Sequence, residues 1–119
     1  MVEPVHFQDH ELYRGWGEPM RTESTLRGLE LIQGDIPPGF EGALYKVGAD
    51  RQYPSGRPDD VFIDGEGMIH MFRFKDNQVD YLSRWVVTER YKRQRDARRS
   101  LFGRYRNRYT NDPSVAGVH

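Results

Sequence analysis

Two alternating runs of residues meet at Asp76-Asn77, and no other feature limits the fold of this 119-residue chain as tightly. From Gly67 to Lys75, Met68, His70, Phe72 and Phe74 fall on one side, with Ile69, Met71, Arg73 and Lys75 on the other. From Gln78 to Thr88 the alternation resumes, with Val79, Tyr81, Ser83, Trp85 and Val87 sharing a side. A period of two is that of a strand, not of a helix. Asp and Asn tolerate the left-handed backbone that a two-residue hairpin turn requires. The pattern therefore predicts an antiparallel hairpin, the seed of a sheet.

Shorter strands are expected around it. Gly28–Gln33 can form one, Ala43–Val47 a second that stops at Gly48, and Val61-Phe62-Ile63 a third. Pro37-Pro38-Gly39 is a turn, because proline fixes φ and glycine admits positive φ. Residues 1–27 are polar and broken by Gly15, Gly17 and Pro19, so they read as an extended arm. Glu89–Arg99 is rich in helix-favouring Arg, Lys, Gln and Ala but has no apolar stripe, which predicts a short, mostly solvated helix. Residues 103–119 read as loop. Three to five short strands with long loops suit one blade of a propeller better than a closed barrel or a sandwich.

Composition bounds the rest. Hydrophobic residues make up 36% of the chain and the mean hydropathy is −0.86. A core built from so few apolar residues in so short a chain is small. There is no cysteine to add a disulfide or a thiolate metal site. An aromatic content of 13% argues against disorder. No apolar run reaches the roughly 20 residues of a membrane span. The opening residues lack the basic and apolar regions of a secretory signal, so a soluble, cytoplasmic protein is expected. The net charge of zero hides an asymmetry: residues 1–89 hold 16 acidic and 9 basic side chains, whereas residues 90–108 hold 9 basic and one acidic.

Four segments carry a resemblance. They are Gly34-Asp35-Ile36-Pro37-Pro38 with Gly42-Ala43-Leu44-Tyr45, the Asp64-Gly65-Glu66-Gly67-Met68-Ile69-His70 turn and strand, Arg84 to Tyr91, and Asn111-Asp112-Pro113-Ser114-Val115. In this order they resemble the opening of the carotenoid cleavage oxygenase family, and within it the lignostilbene dioxygenase-like branch. The resemblance covers residues 26–115 and implies an all-β chain with one short helix. Residues 1–27 would be the amino-terminal arm, and residues 28–119 the first blade region of a seven-bladed β-propeller with its following loop. It implies membership of a non-haem iron(II) enzyme that uses dioxygen to cleave a carbon–carbon double bond of a stilbenoid or a carotenoid-derived polyene. Two carbonyl products would result.

In that family four histidines from separate blades hold the iron, and the resemblance assigns none of them to this chain. His70 belongs to the Gly-Met-Ile-His strand motif, which is not a ligand position there. A histidine among Met68, Phe72 and Phe74 is expected to be a hydrogen-bonded core residue. His6 and His10 lie four apart, without a third partner, and read as solvated; His119 has no context. The segment taken alone is thus expected to bind no metal, to hold no catalytic residue and to be inactive. Asp64 and Glu66 could offer oxygen ligands to a divalent cation. The simpler expectation is a structural turn, its glycines at positive φ and its acids facing solvent.

Two residues are candidates for substrate contact. Lignostilbene-like members place a Phe, a Tyr and a Lys around a phenolic stilbene, and Phe62 and Tyr105 are the nearest matches to the first two. A tyrosine on a polar loop presents a hydroxyl to a phenol and a flat face to its ring. The basic run from Arg90 to Arg108, interleaved with Tyr91, Phe102 and Tyr105, opens a different class of function. It could be a nucleic-acid-binding or interaction module, or make a peripheral contact with an anionic membrane surface. No nucleic-acid motif accompanies it, so the preferred reading is a solvated helix whose charges balance the acidic body.

Overall fold

The computed structural model describes residues 4–57, 59–61 and 63–117. Four antiparallel strands form one sheet in the order β1-β4-β3-β2. They are β1 (Ser24–Leu26), β2 (Gly42–Asp50), β3 (Glu66–Lys75) and β4 (Gln78–Trp85), followed by the helix α1 (Glu89–Ala97).

The hairpin is as the alternation predicts. Asp76 and Asn77 take φ of 52° and 60°, the left-handed pair of a tight primed turn. Lys75 pairs with Gln78, and the register continues to Met68 opposite Trp85. Phe72 therefore stands across from Tyr81, and their rings meet at 4.9 Å. His70 is half-buried, and its Nδ1 lies 2.7 Å from the Tyr81 hydroxyl. It is the hydrogen-bonded core histidine that its neighbours imply.

Several expectations need correction. Gly28–Gln33 forms no strand. Gly28 takes φ +62° and turns the chain, while its amide donates to Asp80 Oδ1 at 2.7 Å. The strand lies earlier, inside the polar arm, at β1. It is pinned by the buried Ser83, whose hydroxyl accepts from the Ser24 amide and donates to the Thr22 carbonyl, both at 2.9 Å. The arm also holds two single-turn 3₁₀ segments, Glu11–Tyr13 and Gly15–Gly17, and the Asp50 carboxylate clamps it through the Met20 and Arg21 amides.

Strand β2 does not stop at Gly48. Gly48 pairs with Met68 and the ladder runs on to Asp50 opposite Glu66. Val61 and Ile63 lie outside the sheet, where their carbonyls accept from the amides of Asp64 and Gly65 at 3.0 Å. At the other end β4 closes at Trp85, because Thr88 is taken as the N-cap of α1 and accepts from the Tyr91 amide. The helix ends where Arg98 turns left-handed, at φ 56°. It is short, as predicted, but its solvated surface has one exception, the buried Gln94.

The acidic turn before β3 is also different from expectation. Asp64 and Glu66 are buried, each about 5% exposed, rather than facing solvent. Neither Gly65 nor Gly67 has positive φ. Glycine is required for close approach instead: a Cβ on Gly65 would lie 2.5 Å from the Asp50 carbonyl oxygen, and one on Gly67 would lie 3.0 Å from the Val86 side chain. The acids turn inward because each finds a partner there. Glu66 Oε1 accepts from Arg90 Nε at 2.7 Å and from Gln94 Nε2.

Candidate functional site

Tyr105 lies in the loop after α1 and is 61% exposed. Together with Arg90, Phe102, Arg106, Arg108 and Tyr109 it lines a cleft of about 590 Å³. Phe62, the other substrate-contact candidate, lies outside the described residues, as does His119.

The loop carrying Tyr105 is held by an unusual density of side-chain acceptors. The amides of Leu101 and Phe102 donate to Gln94 Oε1 at 2.9 and 3.3 Å. The Gly103 amide donates to Asn111 Oδ1 and the Arg104 amide to Thr110 Oγ1, both at 2.7 Å. The Tyr105 amide donates to Asp64 Oδ2 at 3.1 Å. Five successive backbone donors are thus satisfied without any regular secondary structure, which is how an irregular segment is kept in one conformation. The far side of the loop is shaped by Asn107 and Asp112, whose side chains cap the 3₁₀ turns Arg108–Thr110 and Pro113–Val115. Gly103 permits the fold-back, since a Cβ there would collide with Thr110.

Behind the loop stands a buried cluster. Arg51 bridges Asp60 Oδ2 at 2.9 Å and the Val61 carbonyl at 2.6 Å, and the guanidinium and carboxylate are both more than nine-tenths buried. Burial and a hydrogen bond shared with Asp60 push the Asp64 carboxyl above the usual carboxylate range. Burial acts on Asp60 in the same sense. Its hydrogen bonds from Asp64, Ser55, Arg51 and the Val61 amide outweigh that and hold it low. The two carboxyls are thus pushed in opposite directions, Asp64 up and Asp60 down beside Arg51. None of this was legible beforehand: a buried glutamine and a carboxyl pair four residues apart leave no periodic signal.

The basic segment is largely matched within the chain. Arg90 pairs with Glu66, Arg99 with Asp112 at 2.7 Å and Arg104 with Asp59 at 3.3 Å. Arg95 and Arg108 lie over the rings of Tyr91 and Tyr109. Among the described residues, no group of three or more His, Cys, Asp or Glu side chains is placed to hold a metal ion. His10 caps a turn by accepting from the Leu12 amide at 3.1 Å, and His70 is engaged by Tyr81. Among the described residues the donor set therefore does not fit an iron centre. Nor, among the described residues, is any helix long and apolar enough to cross a membrane.

The sheet and its loop define a class: a partial four-stranded blade, matching solved structures that are propeller-type carotenoid oxygenases. The crystal structure of the Pseudomonas brassicacearum lignostilbene dioxygenase matches over 97% of this chain and 24% of that one, with a TM-score of 0.86 and 36% identity. The model of the RPE65 family, retinal pigment epithelial membrane protein, matches residues 17–119, and the chain belongs to this family. It is 40% identical over 114 residues to lignostilbene-alpha,beta-dioxygenase isozyme III of Sphingomonas paucimobilis, covering 96% of this chain and 23% of that enzyme. It is 45% identical over 100 residues to the isoeugenol monooxygenase of Pseudomonas putida, covering 84% and 20% respectively. The chain thus spans less than a quarter of the length of these relatives. The resemblance drawn from four sequence segments is borne out at the level of family and fold.

Proposed function

We propose that this chain is the amino-terminal portion of a non-haem iron(II) oxygenase that cleaves the carbon–carbon double bond of a stilbenoid or carotenoid-derived alkene. Dioxygen would be the oxidant and two carbonyl compounds the products. The observation that supports it best is the match of sheet, helix and loop together to a lignostilbene dioxygenase, over nearly the whole chain. Because the donor set here does not fit iron, the ligands in this proposal belong to other parts of a longer polypeptide, and this segment by itself is inactive.

Its own contribution is architectural and substrate-directed. Residues 1–27 act as an arm that lays β1 on the sheet, and residues 28–119 supply the first blade region and a pocket wall. Tyr105 offers its hydroxyl to a phenol and its ring to stacking, with Phe62 as a second wall. This favours a phenolic stilbenoid over a polyene. The matched charges of residues 90–108 favour a structural role for that segment over nucleic-acid or membrane binding. A cytoplasmic location completes the proposal and is checked by fractionation.

The test uses the complete oxygenase carrying this segment, loaded with iron(II) in air. Loss of 4-hydroxystilbene with appearance of two aldehydes is the expected outcome. Cleavage of an apocarotenal alone would move the substrate to the polyene class. Failure to consume either under oxygen would overturn the proposal, as would turnover by the isolated 119-residue chain for the claim of inactivity.

A further inference from the structure

We infer that Asp64 is a positioning residue: its carboxyl ties the turn before β3 to the Tyr105 amide and so fixes where the Tyr105 ring stands in the cleft. The inference rests on the reading of Tyr105 as a phenol-binding residue. It stands on geometry. Asp64 Oδ2 accepts from the Tyr105 amide at 3.1 Å, and the residue is 5% exposed. In the same turn stands Asp60, which acts on this carboxyl electrostatically and which Arg51 holds at 2.9 Å. Asp64 therefore stands between a buried ion pair, Arg51 with Asp60, and the loop whose Tyr105 amide it holds.

The charged and titratable groups acting on it are few. Asp60 lies beside it in the same turn, Arg51 acts through Asp60 from the end of β2, and Arg90 of α1 acts across the cleft wall. Among the five hydrogen bonds that hold the amides of residues 101–105, only the Asp64 contact reaches Tyr105 itself. The other four hold the approach to it. A short polar side chain that can donate to Asp60 and accept from the amide meets both demands. Asn carries an acceptor for the amide and a donor for the Asp60 carboxylate, and Ala carries neither.

The experiment is equilibrium titration, without oxygen, of the complete iron-loaded oxygenase with 4-hydroxystilbene and with its 4-methoxy counterpart. Asp64→Ala is expected to weaken binding of the phenol about tenfold and to leave the methyl ether within about twofold. Asp64→Asn is expected to bind both like the parent. In a Tyr105→Phe background the Asp64→Ala loss should vanish, since a residue that acts through another shows no effect once that other is removed. Where Asp64→Ala does not fold, Asp64→Val, close to Asp in size and without donor or acceptor, serves the same comparison.

Equal loss for both probes, a loss in Asp64→Asn as large as in Asp64→Ala, or a loss that persists without the Tyr105 hydroxyl would overturn the inference. Cleavage of stilbenes could continue in each of those cases, so the functional proposal would survive. Undiminished phenol binding by Tyr105→Phe would overturn both the role of Tyr105 and this inference. An oxygenase that binds the phenol in the expected pattern yet cleaves nothing would uphold Asp64 and sink the proposed reaction.

Discussion

At the scale of single residues, the chain solves one problem repeatedly: how to hold an irregular backbone with side-chain acceptors. Asp64 does so with a carboxyl held above the usual carboxylate range. Its folded-state value is raised, chiefly by burial. The stability it contributes is present below the unfolded carboxyl value of about 3.9 and is lost as pH rises through the raised folded value. Asp60 has the opposite sign: its lowered value contributes stability that is lost only as pH falls through it. Asp64→Asn keeps both hydrogen bonds and removes the titration. It is therefore expected to be more stable than the parent at neutral pH, with the advantage shrinking toward pH 4. Denaturation midpoints at pH 4 and 7 check this, and a pH-independent difference would contradict it. Gly103→Ala is the reverse kind of change, adding a Cβ against the Thr110 backbone, and is expected to cost about 1–3 kcal/mol. Residues like these were hidden in the sequence. Asp64 was visible as a turn acid, but whether it faced water or the interior depended on Asp60 and Arg51, brought together only by folding.

At the scale of elements, legibility followed repetition. The hairpin was readable because eighteen residues, ten in β3 and eight in β4, state the same period on both sides of a left-handed turn. Strand β1 was not, because three residues hold less than two periods and its register comes from Ser83 and Arg84 on another strand. Its apolar neighbour Gly28–Gln33 looked the better strand and lost to the turn at Gly28. The hairpin turn itself can be improved. Asn77 sits at φ 60°, and Asn77→Gly is expected to stabilise by about 0.5–1 kcal/mol, read as a shift in denaturation midpoint. In α1, a buried glutamine at one position has no partner in the sequence to announce it. Gln94 accepts from Ser100, Leu101 and Phe102 and donates to Glu66. Gln94→Ala strands those groups, and a loss of about 2–4 kcal/mol is expected, with faster amide exchange at residues 101 and 102.

At the scale of the whole molecule, the shape is extended for its length. The Cα radius of gyration is 17.3 Å, where a compact domain of this size has about 13.5 Å. Among the described residues only Tyr13, Tyr53, Met68, Leu101 and Val115 are buried apolar side chains. Apolar groups on one face of the sheet are instead left open, and the register shows that they are contiguous. Tyr45 stands opposite Met71, Met71 opposite Leu82, and Val47 opposite Ile69. Tyr45, Val47 and Ile69 are exposed, and β2 is an edge strand nine residues long. An exposed apolar face next to a long unpaired edge is what makes a sheet self-associate. The isolated chain is therefore expected to elute from a sizing column well above its mass of 14.0 kDa at micromolar concentration. Val47→Lys places a charge in the middle of that face and is expected to shift the population toward the monomer. In the complete oxygenase the same substitution is expected to destabilise, by about 1–3 kcal/mol, because a lysine would then be buried without a partner. A monomeric parent chain would show that this face is left to solvent in isolation, and a complete enzyme indifferent to lysine at position 47 would show that it is left to solvent there as well.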